Sequence, residues 1–166
     1  MVIFETERLI VRKLILEDLD GFHEMQSNPK VMQYADGEVK SYLEHKSELI
    51  SLIDKYTIPD NDFWIYAIVR KSDVTFVGTV ALVKDGTDDE IGYRFLETYW
   101  GNGYATEICK GLISYCKSIG MKKLIGYVVD KNIASAKILE RYNFTLVKRF
   151  VSEDIGLPES KYELIL

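Results

Sequence analysis

The stretch that most constrains this chain covers residues 90–129, where a strand-like run, a tight glycine turn, a helical pattern and a second strand-like run follow one another. The turn reads Trp100-Gly101-Asn102-Gly103-Tyr104-Ala105-Thr106 and opens a helix predicted for residues 103–119. Two strands joined through a helix are expected to form a right-handed parallel crossover. The first N–H groups of such a helix have no partner within it, and glycines leave that backbone open to a ligand. The pattern therefore predicts a site for a phosphorylated ligand at this turn.

Two common phosphate-binding motifs do not account for the turn. The chain has no Gly-x-x-x-x-Gly-Lys-Ser/Thr run, which excludes a P-loop. Gly101 and Gly103 match the first half of Gly-x-Gly-x-x-Gly, but Thr106 stands at the third position. No strand-then-acid pattern fits a dinucleotide site about 20 residues later. A nucleotide-binding regulatory domain and a purely structural turn are the alternatives to a specific ligand site.

Composition predicts a single domain over residues 1–166, with 47% apolar and 28% charged residues as in ordinary soluble proteins. The net charge is −5 and no basic cluster exceeds two or three residues, so we expect no nucleic-acid partner. No apolar run approaches the roughly 20 residues of a membrane span, and the N-terminus does not read as a signal peptide. We therefore expect no membrane association and a cytoplasmic location.

The cysteines and histidines predict neither a disulfide nor a metal site. Cys109 and Cys116 lie on one predicted helix, at a separation of about 10 Å along its axis, which is too far for a bridge. We expect both to be small core residues. His23 and His45 are the only histidines and are distant from both cysteines in sequence, so we expect no bound metal.

Hydrophobic periodicity and turn residues predict an ordered set of strands and helices. The predicted strands are 8–14, 63–70, 74–83, 90–95, 123–129, 144–151 and 161–166, and the predicted helices are 16–26, 38–56, 103–119 and 132–142. Gly120, Asn132 and Asn143 are predicted helix caps. The fold class predicted is α/β, with a mixed, mainly antiparallel sheet, helices on both faces, and a parallel βαβ crossover at the ligand site.

Several segments together resemble GNAT-type N-acetyltransferases, and in particular the branch that contains the ribosomal-protein N-terminal acetyltransferases. In the glycine turn, Trp100 replaces the Gln or Arg of the superfamily motif Gln/Arg-x-x-Gly-x-Gly/Ala. The other matching segments are Thr6-Glu7-Arg8-Leu9-Ile10-Val11-Arg12, Glu90-Ile91-Gly92-Tyr93 and Asn132-x-x-Ser135-x-x-x-Leu139-Glu140-Arg141-x-x-Phe144. The resemblance spans essentially the whole chain. It implies an enzyme that transfers an acetyl group from acetyl-CoA to a primary amine by direct attack on the thioester.

The resemblance also implies where acetyl-CoA binds. The amides of the glycine turn hold the pyrophosphate, and the pantetheine arm runs between two parallel strands that splay apart, the first of which ends near Phe95. The implied donor-site residues are Phe95, Leu96, Gly101, Asn102, Gly103, Tyr104, Ala105, Thr106 and Asn132. Asn132 also suits a simple helix N-cap, and both roles are compatible.

Ser135 and Glu90 are the candidate catalytic residues. Many members of the superfamily use a tyrosine to protonate the CoA sulfur, but Leu139 stands at that position here. The resembling branch gives this task to a serine at the position of Ser135. Glu90 opens the strand beside the expected acetyl site and is a candidate base for the ammonium proton, directly or through a water.

Each catalytic assignment has a structural alternative. Ser135 suits close helix packing, and Glu90 suits a solvated or ion-paired strand start. The acceptor amine can also lose its proton to solvent without a dedicated base. The alternative to an enzyme is a CoA-binding sensor or assembly module that has lost catalysis, which the absence of a tyrosine at Leu139 leaves open. The strand period places Glu90, Gly92 and Arg94 on one face of the sheet, unless a β-bulge near Gly92 changes the phase.

The acceptor amine is expected between residues 28–62 and the loop 152–160. Tyr34, Trp64 and Tyr93 are the candidate substrate contacts, with core packing as the alternative. The acids Glu153, Asp154 and Glu159 are candidates to attract a cationic amine. Proteins of this fold often form dimers, so we expect a monomer or a homodimer.

Overall fold

The computed structural model describes residues 1–35 and 38–166, and this part of the chain forms an eight-stranded sheet with helices on both faces. Its strands are β1 (Val2–Glu5), β2 (Leu9–Lys13), β3 (Phe63–Arg70), β4 (Thr75–Asp85), β5 (Asp88–Phe95), β6 (Lys123–Val129), β7 (Thr145–Val151) and β8 (Pro158–Ile165). Its α-helices are α1 (Leu19–Ser27), α2 (Tyr42–Asp54), α3 (Tyr104–Ser118) and α4 (Ile133–Arg141). Short 3₁₀ turns span Leu16–Asp18, Lys55–Thr57 and Glu97–Tyr99.

The strand order confirms a mixed, mainly antiparallel sheet. Strands follow one another as β1-β2-β3-β4-β5-β6-β8-β7, and each neighbouring pair is antiparallel except β5 and β6. Helix α3 connects these two parallel strands, because strands that run in the same direction need a crossover. The predicted parallel βαβ unit therefore lies inside an otherwise antiparallel sheet.

Two hydrophobic cores hold the helices on opposite faces. The α3/α4 face joins the buried residues Ile108 and Leu112 of α3 and Leu139 of α4 to alternate residues of the central strands. The α1/α2 face joins Phe22 of α1 and Leu49 of α2 to the other side of the sheet. Because side chains alternate along a strand, β3 contributes to both cores, with Tyr66 and Ile68 in one and Ala67 and Val69 in the other.

The predicted caps and the roles of the cysteines are confirmed. The Asn132 side chain accepts a hydrogen bond from the Ser135 N–H at the start of α4. Asn143 and Gly120 take the positive φ angles that end helices, at 67° and 89°. Cys109 and Cys116 are buried free thiols in the core of the α3/α4 face.

The main error of the sequence prediction is the strand β1, which was not expected. It is short, it pairs only with β2 at the sheet edge, and its register shifts between Val2 and Phe4. Tertiary packing stabilises this strand, since the Phe4 ring stacks on Tyr115 of α3 with 5.4 Å between the ring centroids. Smaller differences concern boundaries: β8 begins at Pro158, and α2 begins at Tyr42 because Ser41 and Glu44 form a capping box.

The two histidines meet between α1 and α2. The Nδ1 atoms of His23 and His45 lie 2.7 Å apart, so one ring donates a hydrogen bond and the other accepts it. Burial, followed by the neighbouring His23, lowers the pKa of His45. Among residues 1–35 and 38–166 no group of three or more His, Cys, Asp and Glu side chains is arranged to hold a metal ion. None of the helices described has the length and hydropathy required to cross a membrane.

Val74 occupies a strained position in the turn between β3 and β4, and this generates a stability prediction. Its φ angle is 58°, a left-handed conformation that a β-branched residue rarely adopts, and its side chain is exposed. We expect Val74→Gly to raise the free energy of unfolding by about 1 kcal/mol, because relief of strain outweighs the added flexibility of the unfolded chain. Urea denaturation measures this, with Val74→Ala, which keeps a Cβ atom, as the control. A Gly variant less stable than wild type would contradict the assignment of strain.

Candidate active site

The parallel strands β5 and β6 separate almost as soon as they meet. Their pairing is confined to Glu90 and Ile125, whereas β4 and β8 pair along the outer edges of the two strands. Beyond Glu90 and Ile125, the facing edges of β5 and β6 no longer form a sheet ladder. Backbone N–H and C=O groups in such a position require another hydrogen-bonding partner, such as water or a ligand. The splay therefore creates a slot suited to a chain-like polar ligand.

A cleft of about 650 Å³ fills this splay and is lined by residues from both faces of the sheet. Arg94 of β5 lines the cleft from the α1/α2 side. So does the wall segment, which we define as residues 30–35 and of which every residue except Met32 lines the cleft. From the α3/α4 side come Ala105 and several residues of α4 and the turn before it. Those residues are Lys131, Asn132, Ile133, Ala134, Ser135, Ile138 and Leu139. One opening can therefore admit two molecules that approach from opposite faces.

The register of β4 and β5 settles which side chains of β5 face which side. The pairing runs without a shift from Gly78 and Phe95 to Asp85 and Asp88, so the bulge considered near Gly92 does not occur in it. Arg94 donates a hydrogen bond from Nη1 to Gln26 Oε1 on α1, at 2.8 Å. Because the strand alternates, Glu90 and Gly92 share this face, while Ile91, Tyr93 and Phe95 face α3.

The glycine turn, residues 100–106, presents free helix amides, and it lines the cleft through Trp100 and Ala105 but not through Gly101, Asn102, Gly103, Tyr104 or Thr106. Gly103 is the N-cap of α3 with a φ angle of 75°, a conformation that favours glycine. The first amide in the helical ladder is that of Glu107, which donates to Gly103 O at 3.1 Å. The amides of Tyr104, Ala105 and Thr106 therefore precede the ladder and are available to an anion.

Side-chain bonds hold this turn against the end of β5. The Trp100 indole N–H donates to Phe95 O at 3.0 Å, and the Asn102 side-chain amide donates to Tyr99 O at 2.9 Å. The Arg8 guanidinium donates to Asn102 O at 2.9 Å. The turn is thus anchored by three donors before any ligand binds.

The carboxylate of Glu107 stands in the first turn of α3 but is neutralised. Arg8 Nε lies 2.7 Å from Glu107 Oε2, and the Thr6 hydroxyl donates to Oε1 at 2.6 Å. Although burial opposes it, these bonds lower the pKa of Glu107. The helix N-terminus therefore keeps its attraction for anions, which an unpaired carboxylate would reduce.

Helix α4 brings Asn132 and Ser135 to the opposite wall of the cleft. Ser135 is half-buried, and its hydroxyl makes no hydrogen bond within the described part of the chain. Leu139 lies deeper and packs against Gly126 of β6, where an added Cβ would lie 3.1 Å from its Cδ1. The Tyr142 hydroxyl donates to Thr106 O at 3.1 Å, which fixes the end of α4 to the start of α3.

Glu90 carries the most distinctive electrostatics near the splay. Burial raises the pKa of its carboxyl to about 7, and the charges of Asp85 and Glu159 add to the shift. Glu90 stands at the point where β5 and β6 separate but is not a lining residue of the cleft, whereas Glu159 is. Burial also raises the pKa of Glu159. Both carboxyls therefore hold protons more tightly than ordinary glutamates.

Of the predicted substrate contacts, the structure brings Tyr34 and Tyr93 to the cleft but not Trp64. Trp64 lies on β3, which β4 separates from β5, and its ring stacks with Tyr56 and Tyr66. It lines a different cavity of about 640 Å³, together with charged residues such as Asp60 and Lys122.

The predicted walls of the acceptor pocket contribute less than expected. Of residues 28–62, only the wall segment lines the cleft, and residues 36 and 37 lie outside the described part of the chain. From the loop 152–160 only Glu159 does so. Leu96, a predicted donor-site residue, is buried in the core of the α1/α2 face, and its N–H donates to Val77 O at 3.0 Å.

Sequence reasoning missed the contribution of β6. Gly126, Tyr127, Val128 and Val129 all line the cleft, because they form the second edge of the splay. The signal was available, since a parallel crossover makes the strand after α3 the neighbour of β5. The side chain of Arg94 was placed on a face but given no role, and in the structure it lines the cleft and donates to Gln26.

Comparisons with known proteins agree with this architecture. The family model described as "Acetyltransferase (GNAT) domain" matches residues 8–145. The uncharacterized N-acetyltransferase p20 of Bacillus licheniformis is 28% identical over 143 residues, which are 84% of this chain and 80% of that protein. The uncharacterized N-acetyltransferase YoaA of Bacillus subtilis is 28% identical over 148 residues, covering 86% and 82% of the two chains.

Solved structures share the fold at lower identity. An acetyltransferase of the GNAT family from Bacillus anthracis superposes with a TM-score of 0.85 at 21% identity, over 99% of this chain and 98% of that chain. RimL, a ribosomal L7/L12 alpha-N-protein acetyltransferase in complex with coenzyme A, superposes with a TM-score of 0.84 at 16% identity, over 100% and 98% of the two chains. These likenesses concern the fold.

The raised pKa of Glu90 predicts a pH-dependent effect on stability. The folded state binds the Glu90 proton more tightly than the unfolded chain does, since the pKa of the carboxyl is 4.5 when unfolded and about 7 when folded. The stability that Glu90 contributes to the protein is therefore lost as pH rises from about 4.5 to about 7. We therefore expect Glu90→Gln to stabilise the protein relative to wild type more at about pH 8 than at about pH 4.5. Urea denaturation at the two pH values measures the difference. Glu153→Gln, which removes an exposed carboxylate, controls for net charge, and an equal effect of Glu90→Gln at both pH values would contradict the assigned shift.

Proposed function

Because the chain belongs to the GNAT acetyltransferase family and is thus an acyltransferase, we propose that it transfers an acetyl group from acetyl-CoA to a primary amine. The acceptor is a protein N-terminus or a small-molecule amine. The observation that carries this proposal is the cleft between β5 and β6, which joins the start of α3 to the wall segment, where polar and apolar side chains both line it.

The residues of the cleft fit acetyl-CoA. The facing edges of β5 and β6 leave backbone groups with which the amides of a pantetheine arm can pair, along Tyr93 to Phe95. The amides before Glu107 suit a pyrophosphate, because they have no partner within the helix. We assign the donor site to Phe95, Leu96, residues 101–106 and Asn132.

Leu96 contributes to this site only through its position in the chain. Its side chain is buried and its backbone N–H is already paired. Asn132 contributes through its side chain, which also caps α4. When bound, acetyl-CoA supplies the activated acetyl thioester.

Glu90 is our candidate for the proton acceptor. An amine must lose its proton before it can attack a thioester, and a base is most useful when its pKa lies near the working pH. The pKa of Glu90, about 7, meets this condition. Since Glu90 does not line the cleft itself, we propose that a water molecule carries the proton to it. Glu159, which does line the cleft, attracts the cationic amine.

Ser135 is our candidate for the group that supports the departing thiolate. Its hydroxyl lines the cleft and is not committed to another described residue, so it is free to donate a hydrogen bond to sulfur. Leu139 in the same wall has no proton to donate. The Tyr142 hydroxyl is engaged with Thr106 O, which leaves Ser135 as the donor on α4 in this wall.

Release of free thiol from acetyl-CoA tests the proposed function. Purified protein is incubated with acetyl-CoA and with peptides that begin with Ala or Ser, polyamines, aminoglycosides and free amino acids in turn. Saturable release with one class would support the proposal and name the acceptor chemistry. Binding of acetyl-CoA without release for any class would instead favour a CoA-binding sensor or assembly module.

Gly103→Val tests the assignment of the glycine turn. A branched side chain at a φ angle of 75° strains the turn that presents the amides, so we expect the acetyl-CoA dissociation constant to rise about 100-fold. Isothermal calorimetry measures this. The matched control is Gly86→Val, at a φ angle of 61° in the turn between β4 and β5, which imposes similar strain away from the cleft. Equal affinity in a folded Gly103→Val variant would remove the turn from the donor site.

Ser135→Ala tests the thiolate role. Loss of the hydroxyl is expected to lower kcat about 100-fold while leaving the acetyl-CoA dissociation constant within about twofold. Steady-state kinetics and calorimetry separate the two effects. Ser114→Ala, on the exposed side of α3, serves as the control. Wild-type turnover in Ser135→Ala would show that Ser135 is only a packing residue.

A further inference from the structure

Glu97 links the two sides of the cleft although it does not line it. It begins the 3₁₀ turn Glu97–Tyr99, which lies between the end of β5 and the glycine turn. Its carboxylate accepts two hydrogen bonds from the segment that follows α1, one from Asn28 Nδ2 and one from Lys30 Nζ, each at 2.7 Å. These bonds, with that from Asn28 the stronger cause, lower the pKa of Glu97.

Asn28 organises the segment to which Glu97 is bonded. Its side-chain Oδ1 accepts from the Lys30 N–H at 2.9 Å, and its backbone O accepts from the Met32 N–H at 3.0 Å. The Ala35 N–H then donates to Met32 O at 3.0 Å. One end of the Asn28 amide thus shapes the wall segment, while the other end is bonded to Glu97.

The other partner, Glu97, is held firmly to the donor side. Its backbone O accepts from the Trp100 N–H at 3.0 Å, and Leu96 beside it donates to Val77 O of β4 at the same distance. Trp100 is in turn bonded to Phe95 O. The carboxylate therefore has a fixed position relative to β5 and the glycine turn.

We propose that Glu97 is a positioning residue that sets the wall segment, and with it Tyr34, against the donor side of the cleft. The proposal rests on the proposed function, because it takes the wall segment to be part of the site that binds the acceptor amine. Lys30 is 71% exposed and its ion pair contributes little, so the bond from Asn28 carries the effect. Loss of the Glu97 carboxylate then loosens the wall and weakens acceptor binding, while the glycine turn keeps its own bonds to Arg8 and Phe95.

Hydrogen exchange of the free protein tests the proposal without any turnover. We expect Glu97→Ala to speed exchange of the amides at 30–35 about tenfold, since the ordering bond to Asn28 is lost. Glu97→Gln, whose side-chain carbonyl still accepts from Asn28, should restore slow exchange. Glu24→Ala removes an exposed carboxylate from α1 and serves as the control. Unchanged exchange at 30–35 in a folded Glu97→Ala variant would overturn the proposal.

Steady-state kinetics provides a second readout, because a general loss of structure would not change the acceptor KM while leaving acetyl-CoA binding intact. With the amine that gives the greatest thiol release in the panel above, Glu97→Ala should raise the acceptor KM about tenfold, with the acetyl-CoA dissociation constant changed less than about twofold. Glu97→Gln should remain close to wild type. A change confined to acetyl-CoA binding would contradict the proposal. If wild type releases no thiol with any amine, the proposed function fails, and the exchange result still decides the positioning role.

Discussion

The architecture depends on a parallel strand pair that fails to stay paired. β5 and β6 meet at Glu90 and Ile125 and then diverge, although each is firmly paired on its outer edge. A continuous ladder would close the sheet and leave no cleft. Because backbone groups on the facing edges require hydrogen-bonding partners, the gap between the strands favours the binding of a polar ligand. The glycine turn, which follows β5, provides a site for an anionic group of that ligand.

Helices contact the two strands from both faces of the sheet. On one face α3 and α4 pack over β5 and β6, and the bond from the Tyr142 hydroxyl to Thr106 O ties the two helices together. On the other face Arg94 reaches Gln26 of α1. The α3/α4 core contains residues of both strands of the splay, whereas the α1/α2 core contains Leu96, which directly follows β5.

The sequence predicted the elements well because each had a strong local signal. The strand, glycine turn and helix over residues 90–119 are visible in the pattern itself, and the parallel crossover follows from handedness. Strand β1 was missed because its stability comes from contacts such as Phe4 with Tyr115, which are distant in sequence. Tertiary packing of this kind leaves no periodic trace.

The site was predictable only in part, for reasons of geometry. Motif spacing pointed to Asn132, Ser135 and the glycine turn; Asn132 and Ser135 line the cleft, and the turn contributes Trp100 and Ala105. Trp64 is two strands away from the splay, a distance that composition does not reveal. The raised pKa of Glu90 depends on burial and on Asp85 and Glu159, which come together only in the folded sheet. The same holds for Glu97, whose partners on the α1 side are about 70 residues earlier in the chain.

A crystal structure of the protein with coenzyme A tests the central claim most directly. We predict that the pantetheine arm lies between β5 and β6 and pairs with the backbone near Tyr93 to Phe95, while the pyrophosphate accepts from the amides of Tyr104 to Thr106. Coenzyme A bound elsewhere, for example in the cavity beside Trp64, with the splay between the strands left to water, would contradict the account.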